Sequence, residues 1–67
     1  MISYEPFWQT ISDKKISTYN LIKKYGISSS TISRLKHNKG INTNTIDDLC
    51  TILECTVSDI IKHIPNK

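Results

Sequence analysis

Apolar side chains recur along this 67-residue chain at three- and four-residue intervals, the spacing that gathers them on one face of an α-helix. Tyr4, Phe7, Trp8 and Ile11 form the first such stripe and predict a helix over about Tyr4–Lys14. Pro6 fits only the first turn of a helix, where its missing N–H is not needed, and so sets the start near Ser3 to Glu5. Leu21, Ile22 and Tyr25 predict a second helix over about Thr18–Tyr25, capped by Ser17, with Lys23 and Lys24 outward. Ile32 and Leu35 face inward from a third, over about Ser29–His37, which leaves Ser29, Ser30, Ser33 and Arg34 on its other side. Ile46, Leu49, Cys50 and Leu53 predict a fourth helix over about Thr43–Glu54, capped by Asn42 after a basic loop, Lys36–Ile41, that Gly40 closes. Ile60, Ile61 and Ile64 predict a short fifth one, capped by Ser58 and stopped by Pro65. The expected fold is all-α, a compact bundle of five short helices with no strand.

The junction between the second and third helices carries the most information. Gly26 suits the left-handed position that a sharp helix exit requires, because it has no Cβ. Ile27 can then fold back between the helices, and Ser28 can cap the next one at once. So short a connection forces the two helices to cross steeply, as in a helix-turn-helix with its core over about residues 17–37. Three adjacent serines, Ser28 to Ser30, are poor helix formers, and propensity does not account for them. Small polar side chains at a helix start suit an end that must approach something closely.

Length and charge narrow the function. The chain reads as one domain, residues 1–67, small enough to bury only about 60% of the surface its unfolded form exposes. No apolar run is long enough for a membrane span and no signal peptide is evident, so a cytoplasmic protein is expected. Cys50 and Cys55 sit in apolar surroundings that suit reduced thiols. The net charge of +3 is unevenly spread: seven of the nine basic residues lie between Lys14 and Lys39 with no acid among them, while Asp47, Asp48, Glu54 and Asp59 follow. A basic front and an acidic rear suit a protein that meets a polyanion with one face, although exposed lysines are also ordinary surface.

Leu21-Ile22, Gly26-Ile27-Ser28, Thr31-Ile32-Ser33-Arg34 and Thr45-Ile46 through Leu49-Cys50 resemble the lambda-repressor-like, Cro-type DNA-binding domains over about Ile16 to Ile61. That family is a bundle of four or five helices whose second and third form the helix-turn-helix, and its members are mostly prokaryotic and phage transcriptional regulators. The resemblance implies base contacts by Ser29, Ser30, Ser33 and Arg34. It implies backbone contacts by Ser17, Thr18, Ser28 and Thr31, and by Lys36, His37, Asn38 and Lys39 at and beyond the end of the reading helix. Two positions depart from the common pattern: Thr18 stands where many members have Gln, and Ile22 where many have Ala.

The expected function is therefore a sequence-specific, double-stranded-DNA-binding regulator, a small Cro-like repressor with the helix Ser29–His37 in the major groove. Arg34 is the candidate base reader, since its planar fork matches guanine O6 and N7, though pairing with a phosphate or a helix neighbour is the alternative use of an arginine. A homodimer through the isoleucine-rich final helix is expected. The rival class is a protein-interaction module, such as an antitoxin-like or adaptor subunit. Phe7 and Trp8 share the core stripe and read as packing rather than a base-stacking platform. Cys50, Cys55, His37 and His63 match no zinc spacing, and no nucleophile–base pair, phosphate loop or carboxylate pair marks an enzyme. No cofactor, metal or small-molecule ligand is expected.

Overall fold

The computed structural model describes residues 1–65 and contains four α-helices, α1 (Glu5–Asp13), α2 (Thr18–Lys23), α3 (Ser29–Lys36) and α4 (Thr43–Leu53). Two two-residue strands, β1 (Ile2–Ser3) and β2 (Lys62–His63), pair antiparallel with Ile2 opposite His63 and Ser3 opposite Lys62. A single 3-10 turn, Val57–Asp59, links α4 to β2.

Each expected cap on the first four helices is found where a hydroxyl or amide oxygen can reach an orphan amide. Ser17 accepts from Asn20 N, Ser28 from Thr31 N and Asn42 from Thr45 N. The helix exits share one device. After α1, α3 and α4 a residue with positive φ, Lys15 (57°), Asn38 (56°) and Glu54 (52°), turns the chain. The next amide then returns to a carbonyl five residues back: Ile16 to Ile11, Lys39 to Arg34 and Cys55 to Cys50. Gly26, at φ 75°, also turns the chain after α2, but there the Ile27 amide reaches six residues back, to Leu21 O, 3.0 Å away.

The core is one cluster of Tyr4, Phe7, Ile11, Leu21, Ile27, Ile32, Leu35, Leu49, Leu53 and Ile60. Trp8 packs at its edge, perpendicular to Phe7 with ring centroids 4.9 Å apart. Ile22, the bulky departure from the family pattern, is likewise half-buried against the cluster.

Three expectations need correction. Helix α2 ends at Lys23 rather than Tyr25; Ile27 fills the gap between α2 and α3, and Tyr25 lies 39% exposed with Lys24 Nζ 5.5 Å from its ring centre. The fifth helix does not form, and strands are present. Between Ser58 and Pro65 too few residues, most of them with β-branched neighbours, remain to repay helix nucleation. Thr56 instead caps the 3-10 turn in a capping box with Asp59, and the chain then runs extended. Carbonyls at the end of the turn satisfy donors of α1: Phe7 N, an orphan donor in its first turn, reaches Ile60 O at 3.2 Å, and the Thr10 hydroxyl donates to Asp59 O at 2.8 Å. The final helix expected to carry a homodimer is thus absent. Its isoleucines are not surplus either, since Ile60 is fully buried in the chain's own core and Ile61 and Ile64 are half-buried.

Candidate nucleic-acid interface

Helix α3 buries Ile32 and Leu35 and turns its hydroxyls outward, so its outer face remains free of the rest of the chain. Ser30, Ser33, Arg34 and His37 lie at helical spacings of three, four and seven, and with Lys39 they line one shallow groove. Ser29 and Lys36 are exposed beside it without entering it. Thr31, half-buried, borders a second small recess with Arg34, Gly40, Ile41, Asn42 and Thr45.

Local hydrogen bonds decide what each side chain still offers. Ser28 Oγ caps α3 and also meets the hydroxyls of Ser30 and Thr31, each at 3.0 Å. Ser17 is similarly engaged as the α2 cap, with Thr18 half-buried next to it. Arg34 Nη1 donates to Gly40 O at 3.3 Å, which steadies the side chain and leaves most of its five N–H donors unused. His37 Nδ1 donates to Ser33 O at 2.9 Å, so that Nε2 is the nitrogen left for another partner. Asn38 points elsewhere: its Nδ2 donates to Ile2 O at 2.8 Å, across 36 residues of sequence.

The electrostatics follow from the charge layout. Among the described residues the one ion pair within 4.0 Å joins Lys62 to Glu5, at 3.8 Å. Lys36 and Lys39 therefore have no carboxylate of the described residues within that distance. No three His, Cys, Asp or Glu side chains of the described residues are grouped to hold a metal ion. No helix among them is long and apolar enough to cross a membrane.

An exposed helix of hydroxyls and one arginine, entered by a capped tight turn and followed by a basic loop, is what a groove-reading helix requires. A family profile described as a Cro/C1-type HTH DNA-binding domain matches residues 7–66. The chain belongs to this family. The crystal structure of the transcriptional regulator VanUg, Form II, superposes with a TM-score of 0.86 at 28% sequence identity, over 97% of this chain and 87% of that one. No curated protein sequence matches. As a member of this family the chain is a DNA-binding domain and not an enzyme.

Two tyrosines have features that the helical stripes leave unassigned. Tyr4 lies 5% exposed in the core, yet its phenol donates to Lys39 O at 2.7 Å. A stripe assignment identifies the ring but not the target of its hydroxyl. Tyr19, 63% exposed one residue into α2, is marked by a real signal, its place off the Leu21–Ile22 face.

Proposed function

We propose that the chain is a sequence-specific transcriptional regulator, a small Cro-like repressor that reads double-stranded DNA with α3 in the major groove. The observation that carries this proposal is the groove of Ser30, Ser33, Arg34, His37 and Lys39, one exposed face with no carboxylate among its lining residues. A groove about 12 Å wide admits a single helix, and an arginine held at one point can still give a guanine two parallel hydrogen bonds. Arg34 is the principal base reader. Ser29, Ser30 and Ser33 approach neighbouring base edges, where short hydroxyls discriminate weakly and DNA shape adds to the selection.

Ser17, Thr18, Ser28, Thr31, Lys36, His37 and Lys39 lie along the phosphate backbone in this pose, while Asn38, bonded to Ile2 O, holds the loop rather than the DNA. The lysines contribute mainly by releasing counterions, so affinity falls with salt. A homodimer on two half-sites about one helical turn apart is the matching assembly, supported by the small size of the domain.

Selection of bound duplexes from a random pool tests the proposal. A consensus should emerge, and Arg34→Ala should flatten the preference at one base pair by about 1–3 kcal/mol. Binding indifferent to both salt and Arg34→Ala would instead favour a protein-interaction module. Sedimentation on the selected duplex should show two chains per site; one 7.7 kDa chain per site would remove the dimer.

A further inference from the structure

Three residues beyond the His37 cap of α3, Asn38, Lys39 and Gly40, are each held by a different part of the molecule. Asn38 donates its amide to Ile2 O at 2.8 Å, Lys39 O accepts the Tyr4 phenol at 2.7 Å, and Gly40 O accepts from Arg34 at 3.3 Å. The first two bonds span 36 and 35 residues of sequence. They lead into the ribbon formed by the chain ends, where Met1 and Ile64 exchange two hydrogen bonds of 2.7 Å.

Exposed basic loops are ordinarily among the more mobile parts of a protein. This one is tied down at three successive residues, to β1, to the buried Tyr4 and to Arg34. We propose that the terminal ribbon is a brace for the DNA-reading face, with Tyr4 and Asn38 as positioning residues that set Lys39 and, through Gly40, the guanidinium of Arg34. Ordering the loop in the free protein removes an ordering cost from the DNA complex. Tyr4 acts only indirectly, since it is 5% exposed and out of reach of a duplex. The inference rests on the DNA-reading role proposed for Arg34.

The test measures binding of the full chain to the selected duplex and to an unrelated one. Tyr4→Phe removes one oxygen and keeps the buried ring; Asn38→Gly removes the amide and keeps a backbone at ease with positive φ. Each should weaken binding to the selected duplex by about two- to tenfold, the worth of one hydrogen bond, with a smaller effect on the unrelated duplex. Combined with Arg34→Ala, Tyr4→Phe should cost less than it does alone, because the part of its effect that runs through Arg34 is already lost. Thr10→Val, which removes the bond from α1 to Asp59 O, should leave DNA binding unchanged and serves as the control for general loosening of the chain end. Folded Tyr4→Phe and Asn38→Gly proteins that bind like the wild type would overturn the brace, as would an equal loss from Thr10→Val. If Tyr4→Phe does not fold, Asn38→Gly alone decides. A wild-type chain that binds no duplex overturns the DNA-reading role itself, a result distinct from failure of the brace.

Discussion

The helix-turn-helix and the paired chain ends each place a fully buried side chain in the core, Leu21 and Ile60, but draw on information from different distances. Between Ser17 and His37 the capping and turn hydrogen bonds are local: Ser17 to Asn20, Ile27 to Leu21, Ser28 to Thr31. At the ends the organising contacts join Phe7 to Ile60, Thr10 to Asp59 and Met1 to Ile64. A local element can be specified by a cap, a glycine and a stripe. The ribbon is specified only by what the rest of the fold leaves unsatisfied, here an orphan amide of α1 and an apolar gap that Ile60 fills.

If the two regions are equally integral to the core, equal truncations should cost equally. Leu21 and Ile60 are both fully buried. Leu21→Ala and Ile60→Ala are each expected to destabilise by about 2–5 kcal/mol, read from urea unfolding midpoints. In so small a domain that is a large part of the total. An Ile60→Ala cost below about 1 kcal/mol would break the comparison and reduce the terminal segment to a loosely attached tail.

Backbone substitutions sharpen the comparison at the next level. A Cβ added at Gly26 meets nothing within 4 Å, so the expected loss for Gly26→Ala, about 1–2 kcal/mol, is the left-handed backbone alone. Ser28→Ala should cost about 1 kcal/mol through the lost cap. The opposite sign is expected where a non-glycine residue holds the same conformation. Lys15→Gly and Glu54→Gly should each stabilise by about 0.5–1 kcal/mol, seen as a higher Tm. A loss at either position would mean that its side chain, rather than its φ, governs the helix exit.

These exits also mark how far the fold was legible. Four helices, three polar caps and the turn at Gly26 could be read from residue type, because each is decided within one or two turns of chain. Residue type points to Gly40 as the loop closer, whereas Asn38 takes the left-handed turn and Gly40 does not. Asparagine tolerates that conformation better than most residues, yet nothing local singles it out from the glycine two positions on. The outward face of α3 was legible from the Ile32–Leu35 stripe. The Arg34–Gly40 and Tyr4–Lys39 bonds were not, since both depend on where a side-chain tip meets a carbonyl of another segment.

The smallest expected effect concerns the thiol at the end of α4. Burial pushes the Cys55 thiol above its ordinary pKa, with Cys50 and Asp59 adding to the rise. The protonated form is thus favoured in the folded chain, and the unfolded chain gives up that proton first as pH rises. Stability from this group is fully present below the ordinary thiol range and is lost as pH climbs through the raised value. Unfolding midpoints measured from neutral to mildly alkaline pH should fall less for Cys55→Ser than for the wild type, after subtraction of the substitution's own constant offset. Parallel pH profiles would mean that Cys55 is wetter than its place between α4 and the 3-10 turn implies. The ends of the chain would then be packed less firmly than the helix-turn-helix they brace.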